Sequence, residues 1–340
     1  MNHLLKTRIT QLAFLFLFAA EFTFYLLILQ TGVVEYHHSV LTEIWMVPAG
    51  GMAGILVSVF YYRERGWLIS LLLFLQLLLS FQYAVANPAE LFLFGLISGL
   101  TAPMLIARID RFGVVVVALA LSYMYGTSYF DVAAVQRTDI ALFLSAVALF
   151  ASFFANMAQR REARGSISYY SAGSIFLWLL LDAALFETLS RDSVMHLWGS
   201  SAFTWNIVFF HCIGLAAAYK LKDWKYNDGV LLALFTLTYL LYASGSREML
   251  SLVYPFVISY YNVIILRRLT RLPYRMLAVM ALSLWAASGM GLLIALSHTF
   301  VPAWIALLML AGIYLYRSLQ PKLYRVLYLM GLTPAERGLP

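Results

Sequence analysis

Three ionisable side chains interrupt long apolar runs in this sequence. Glu21 lies in the middle of residues 12–32, LAFLFLFAAEFTFYLLILQTG, and Asp182 in the middle of residues 174–188, SIFLWLLLDAALFET. His211 stands inside a third run, beside Cys212. A charged group in hydrocarbon costs about 2.5 to 3.5 kcal/mol on insertion scales, which makes each of these a candidate functional residue. Low dielectric disfavours the charged form of a carboxylate, so such an acid can take a proton from one side and release it when water reaches it from the other. Histidine, which titrates near neutral pH, suits the same relay. Counted inward at about 1.5 Å per residue, His211 and Asp182 differ in depth by about one turn, close enough for a pair to form. The competing reading is that each is a hydrogen-bonded strut between helices.

The elements that hold these groups follow from composition. Of the 340 residues 63% are hydrophobic and 11% charged, with a mean hydropathy of +0.82. Soluble domains carry about 25% charged residues, so this is an integral membrane protein. Its net charge of +7 sits at the ends of apolar segments, where it reads as a topology signal rather than a nucleic-acid surface. With one cysteine there is no intramolecular disulfide and no thiolate cluster, and no metal or cofactor is expected. The N-terminal run lacks a small-residue cleavage site near Gly32 and is read as a retained span.

A spanning helix needs about 20 apolar residues. Twelve windows meet that need approximately: 10–31, 39–62, 66–85, 89–108, 113–130, 138–158, 169–190, 197–220, 229–244, 248–267, 274–297 and 300–318. Of the 23 lysines and arginines, all but Arg137, Arg191 and Arg247 then fall on the side that holds the N-terminus. In loops this short the bias places both termini in the cytoplasm, in a bacterial cytoplasmic (inner) membrane. The longest connection, QRREARGSIS at 159–168, divides the chain into six-helix bundles at 1–158 and 169–320, followed by a cytoplasmic tail at 321–340. A shift of about 160 residues lays Glu21 on Asp182, Tyr25 on Phe186, Gly54 near Gly214 and Glu90 near Glu248. Six-helix repeats of this kind place a substrate site at midplane between the halves.

In these features the chain resembles the major facilitator superfamily, a likeness that covers nearly the whole chain in topology and little of it in motif. The signature loop of that family after helix 2 is matched in part by Arg63, Glu64, Arg65 and Gly66, with Glu in place of Asp and Trp67 where a basic residue is usual. The loop after helix 8 keeps Asp223 among lysines, and an intact Asp110-Arg111-Phe112-Gly113 follows helix 4 instead of helix 2. The resemblance implies gating roles for these loops. It also implies a cavity lined by helices 1, 4, 7 and 10, with Glu21 and Asp182 facing each other across it.

Polar stripes mark further candidates. Helix 10 carries Glu248, Ser251, Pro255, Ser259 and Asn262 at steps of three and four, and helix 4 carries Ser98 and Thr101. Lipid offers such groups no partner, so they face protein or cavity. Ser98, Thr101, Ser259 and Asn262 from these stripes, with Tyr25, Phe186 and Thr204, form the expected substrate-binding set. No lysine or arginine is expected at midplane, which ranks organic anions low. No nucleotide-binding loop or hydrolase motif is present, so gradients must drive any work. The expected activity is proton-coupled transport of a small apolar, cationic or lipid-like molecule, with membrane lipids as the remaining partners. The alternatives are a non-transporting subunit or assembly factor, and an intramembrane enzyme acting on a lipid or quinone.

Overall fold

The computed structural model describes residues 2–32, 41–61, 66–155, 165–191, 195–198 and 202–329. Arg63, Glu64 and Arg65, and most of the 159–168 connection, lie outside the described residues. All regular structure among the described residues is helical, the arrangement that satisfies every backbone group within its own segment. In chain order the principal helices are α1 (Asn2–Phe24), α2 (Met46–Tyr61), α3 (Gly66–Ser80), α4 (Pro88–Ile106), α5 (Phe112–Ser128) and α6 (Ala134–Phe154). They continue as α7 (Tyr169–Arg191), α8 (Thr204–Leu221), α9 (Asn227–Ala243), α10 (Arg247–Leu269), α11 (Tyr274–Leu296) and α12 (Val301–Leu329). The end of the bundle that carries the N-terminus is termed the inner end below, and the opposite one the outer end.

Seven stretches among the described residues are long and apolar enough to cross a membrane, and they fall in α1, α4, α6, α7, α10, α11 and α12. α2, α3, α5 and α9 are apolar but have only 15 to 17 residues, which gives about 23 to 26 Å against a hydrocarbon core of about 30 Å. α3 stops at Ser80, and the window expected to reach residue 85 ends instead in a 3-10 turn at Tyr83–Val85.

The packing partners recur down the chain. α1 packs on α5 and α6, as α7 does on α11 and α12. α2 packs on α4, as α8 does on α10, and α3 touches α4 and α6 as α9 touches α10 and α12. Two further pairs, α2 with α11 and α5 with α8, join the first six helices to the last six. The α2–α4 seam depends on glycine: a Cβ at Gly50 would lie 2.0 Å from the Phe92 carbonyl oxygen, and one at Gly95 would lie 2.1 Å from that of Val47. Bare Cα atoms let these backbones meet.

Beyond Phe24 the first helix continues, still counted with α1, in a different winding. Tyr25–Gln30 form a π-helical segment in which the Thr31 amide donates to the Leu26 carbonyl. The widened turn presents carbonyls sideways, and neighbours bind them. Tyr83 donates to Ile28 O at 2.7 Å, and the Arg137 guanidinium donates to Leu27 O at 2.6 Å and Phe130 O at 2.9 Å. Arg137 is 3% exposed. The other two outer arginines are engaged as well, Arg191 with Glu187 at 2.6 Å and Arg247 with the His196 carbonyl while its guanidinium lies over Phe203.

At the inner end Asp223 accepts from Arg267 and Arg271, and Asp228 from Arg268 and Arg317. Partial burial pushes the Asp223 carboxyl up, but hydrogen bonds and charge from Arg267 and Arg271 outweigh it and hold the group below the ordinary carboxylate range. Arg111 donates to Gln11 Oε1 at 3.0 Å, tying the Asp110–Gly113 turn to α1.

Candidate functional site

A cavity of about 110 Å³ lies at the centre of the bundle, between α1, α5, α7, α8, α10 and α11. Its wall is largely aromatic and aliphatic. Asp182 and His211 are the acid and the base that reach it, and neither lysine nor arginine is among its described lining residues. An aromatic cluster sits toward the outer end, with Trp198 5.9 Å from Phe130 and 4.8 Å from Phe186 between ring centroids. Toward the inner end Phe112 stacks on Tyr219 at 6.5 Å, and the Arg267 guanidinium lies over the Phe112 ring.

Asp182 is held by tyrosines from α10. Tyr254 Oη donates to its carboxylate Oδ1 at 2.9 Å and also contacts its carbonyl oxygen at 2.9 Å, while Tyr261 Oη donates to Oδ2. The seven-residue spacing of Tyr254 and Tyr261 is two helical turns, so both hydroxyls come off one face. Donation to a carboxylate is the stronger, charge-assisted kind of hydrogen bond, and it offsets part of the desolvation of the buried acid.

His211 does not pair with Asp182. Its Nδ1 lies 2.7 Å from Ser259 Oγ, and its ring stacks on Tyr123 at 4.2 Å with 7° between planes. Its Nδ1 is engaged by Ser259 on α10, while the Asp182 oxygens accept from Tyr254 and Tyr261. Asn262 donates to Tyr123 Oη at 2.8 Å and to its own helix at Ile258 O, so Tyr123 and Asn262 stand between the His211 pair and the acid in the same wall. The polar face of α10 therefore contributes Ser259 and Asn262, whereas Ser251 donates back to Glu248 O within the helix.

Glu21 points elsewhere. Gln76 on α3 donates to its Oε1 at 2.8 Å, and Gln76 also reaches Ser145 on α6, which lies 3.1 Å from Ser80. Glu21 is absent from the cavity lining, so the two acids do not face each other across one space. Their registers match in sequence, but Glu21 turns into the seam of α1, α3 and α6.

Of the remaining expected contacts, Tyr25, Phe186 and Asn262 line the cavity. Thr101 donates to Ile97 O and Ser98 O inside α4, which packs on α2 away from the cavity, and Thr204 opens α8 two turns from His211. α4 contributes no lining residue, and α5, α8 and α11 do. Gly66 begins α3, and Asp110, Arg111 and Asp223 stand at the inner end as described.

Several contributors escaped sequence reasoning. Tyr254, Tyr261 and Tyr123 look like interfacial tyrosines until their mid-helix positions are weighed, and that position is the signal that could have found them. Gln76 was legible as an isolated amide inside LLLFLQLLLS. Glu187 lies five residues past Asp182 and is 2% exposed. Arg137 was expected at a loop and is instead buried against α1.

No protein-family model matches the chain, and no curated protein matches it in sequence. Its structure is similar to the crystal structure of the human organic anion transporter MFSD10 (TETRAN), with a TM-score of 0.58 and 14% identity over 91% of this chain and 98% of that one. The chain thus has a divergent fold of the major facilitator kind.

Proposed function

We propose that this protein is a secondary transporter that couples proton movement at Asp182 to passage of a small apolar, cationic or lipid-like molecule. The observation that carries the reading is the central cavity with one tyrosine-bound carboxylate in a largely aromatic and aliphatic wall. The recurring helix partners support twelve spans in two six-helix halves, residues 1–158 and 169–320, and the α2–α11 and α5–α8 seams are where such halves would rock. The cavity has room for few atoms, well below the 300 Å³ or so of a ligand pocket, which is consistent with a closed intermediate of alternating access. The positive bias of the inner loops supports cytoplasmic termini in a bacterial cytoplasmic membrane.

The structural neighbour is named as an organic anion transporter. Here the described residues of the wall offer an acid and no guanidinium or ammonium, which favours a cation or an uncharged molecule. In liposomes loaded with a pH-sensitive dye, a panel including a lipophilic cation should drive substrate-dependent proton flux, and Asp182→Asn should remove the flux while the protein stays folded. Equal flux from wild type and Asp182→Asn defeats the assignment. A stoichiometric protein partner on purification, with no flux from any compound, favours a non-transporting subunit.

A further inference from the structure

A second, smaller cavity of about 40 Å³ lies beside the first, between α1, α2, α7 and α11. Tyr25, Gln30 and Ser288 line both cavities and form the septum between them. Glu187 lies on the far side of that septum. Its side chain is 3% exposed, and its oxygens are bound by Gln30 Nε2 at 3.2 Å and Arg191 at 2.6 Å. Arg191 is itself 30% exposed, so the pair reaches from the buried cavity to the outer surface.

We propose that Glu187 is a second exchangeable-proton site, in series with Asp182 and on its outer side, with the Tyr25–Gln30–Ser288 septum as the connection. The proposal rests on the transporter reading above and replaces the opposed pair of acids expected from the repeat with two acids on one helix. The geometry favours it over a purely structural strut. An ion pair whose only task is to fix α7 would not need to line a cavity, nor to share three wall residues with the site that holds the other acid. The groups facing Glu187 are Arg191 and Asp182 on its own helix and Tyr25 and Gln30 on α1. α11 contributes Ser288 and Trp285 and α2 contributes Val47 and Pro48, none of them charged.

The step is balanced as a proton relay. Hydronium at the outer end protonates a Glu187 oxygen and leaves water, and Arg191 is released from its partner. The Glu187 O–H bond then breaks as a proton passes through water at the septum to an Asp182 oxygen. Glu187 returns to carboxylate and re-forms its pair with Arg191.

Two readouts test this on the full-length chain. In infrared difference spectra between acid and alkaline pH, taken in lipid nanodiscs, Glu187→Gln should delete one protonated-carboxyl band and Asp182→Asn a different one. In proteoliposomes with ethidium as probe, Glu187→Gln keeps the hydrogen bond to Gln30. It should leave exchange at equal pH unchanged while proton-driven accumulation falls about a hundredfold, the scale of losing a positioned proton-transfer group. Glu187→Asp should restore part of the accumulation. A Glu187→Gln spectrum identical to wild type overturns the proposal, as does unaltered accumulation, or equal loss of exchange and accumulation. If the wild type moves no protons although the Glu187 band is present, the transporter reading fails and the second proton site stands.

Discussion

At the scale of single residues, the site is a carboxylate made tolerable by phenols. The two hydroxyls on Asp182 come from α10, so the acid is bound to the helix that also carries Ser259 and Asn262. A net hydrogen bond to a charged group contributes about 1.5 to 3 kcal/mol. Tyr261→Phe should therefore slow proton-coupled transport by about tenfold or more, while far-ultraviolet circular dichroism remains that of wild type. A variant as fast as the parent would show that Tyr261 does not stabilise the charged state used in transport. Glu21 has a different setting: its amide partner and the two serines behind it suit a polar joint within α1, α3 and α6.

Residues also show what the sequence could disclose. The acid in an apolar run was legible because its cost is local. The partner of that acid was not, because partnership depends on how two helices are rotated about their axes. Glu21 and Asp182 occupy similar places in two apolar runs, yet their neighbours differ: Gln76 binds one in a seam, and Tyr254 and Tyr261 hold the other at the cavity.

At the scale of elements, helix positions were read well and helix lengths less so. Hydropathy marks where a chain enters hydrocarbon, but α3 ends at Ser80, ahead of the Tyr83–Val85 turn that belongs to the same apolar run. The π segment of α1 was beyond reach, since six ordinary apolar residues give no sign of a widened turn, and its stabilising contacts come from Tyr83 and Arg137 far along the chain. The α2–α4 seam was legible as a set of small residues, and the structure adds which atoms they admit. Gly95→Leu would place a side chain where the Val47 carbonyl now sits. Overpacking costs about 1 to 3 kcal/mol even where neighbours can yield, and carbonyls cannot. The variant should lose folded yield and melt well below the parent in a detergent thermal-shift assay, whereas Gly126→Ala, with open space around it, should melt like the parent.

At the scale of the whole molecule, the reading turns on whether the α5–α8 and α2–α11 seams open. Phe112 on α5 meets Tyr219 on α8 at the inner end. With Cys212→Ala removing the only native thiol, Phe112→Cys together with Tyr219→Cys should crosslink with a short bifunctional thiol reagent and stop transport, and a cleavable reagent should restore it on reduction. Full transport by the crosslinked protein would exclude movement at this seam. The many apolar helices were legible at this scale, because length and hydropathy are additive along a chain. Cavity membership was not: α5, α8 and α11 entered the wall where α4 was expected.

The engagement of all three outer arginines bears on how solutes approach. Their positive charge is committed to Leu27, Glu187 and His196 inside the fold, while Asp131 and Glu248 remain exposed on the same face. The field of these exposed carboxylates reaches about 8 to 10 Å into the surrounding electrolyte. Such carboxylates attract cations electrostatically, so on the transport reading selection by charge begins in solution, before any solute meets the carboxylate within.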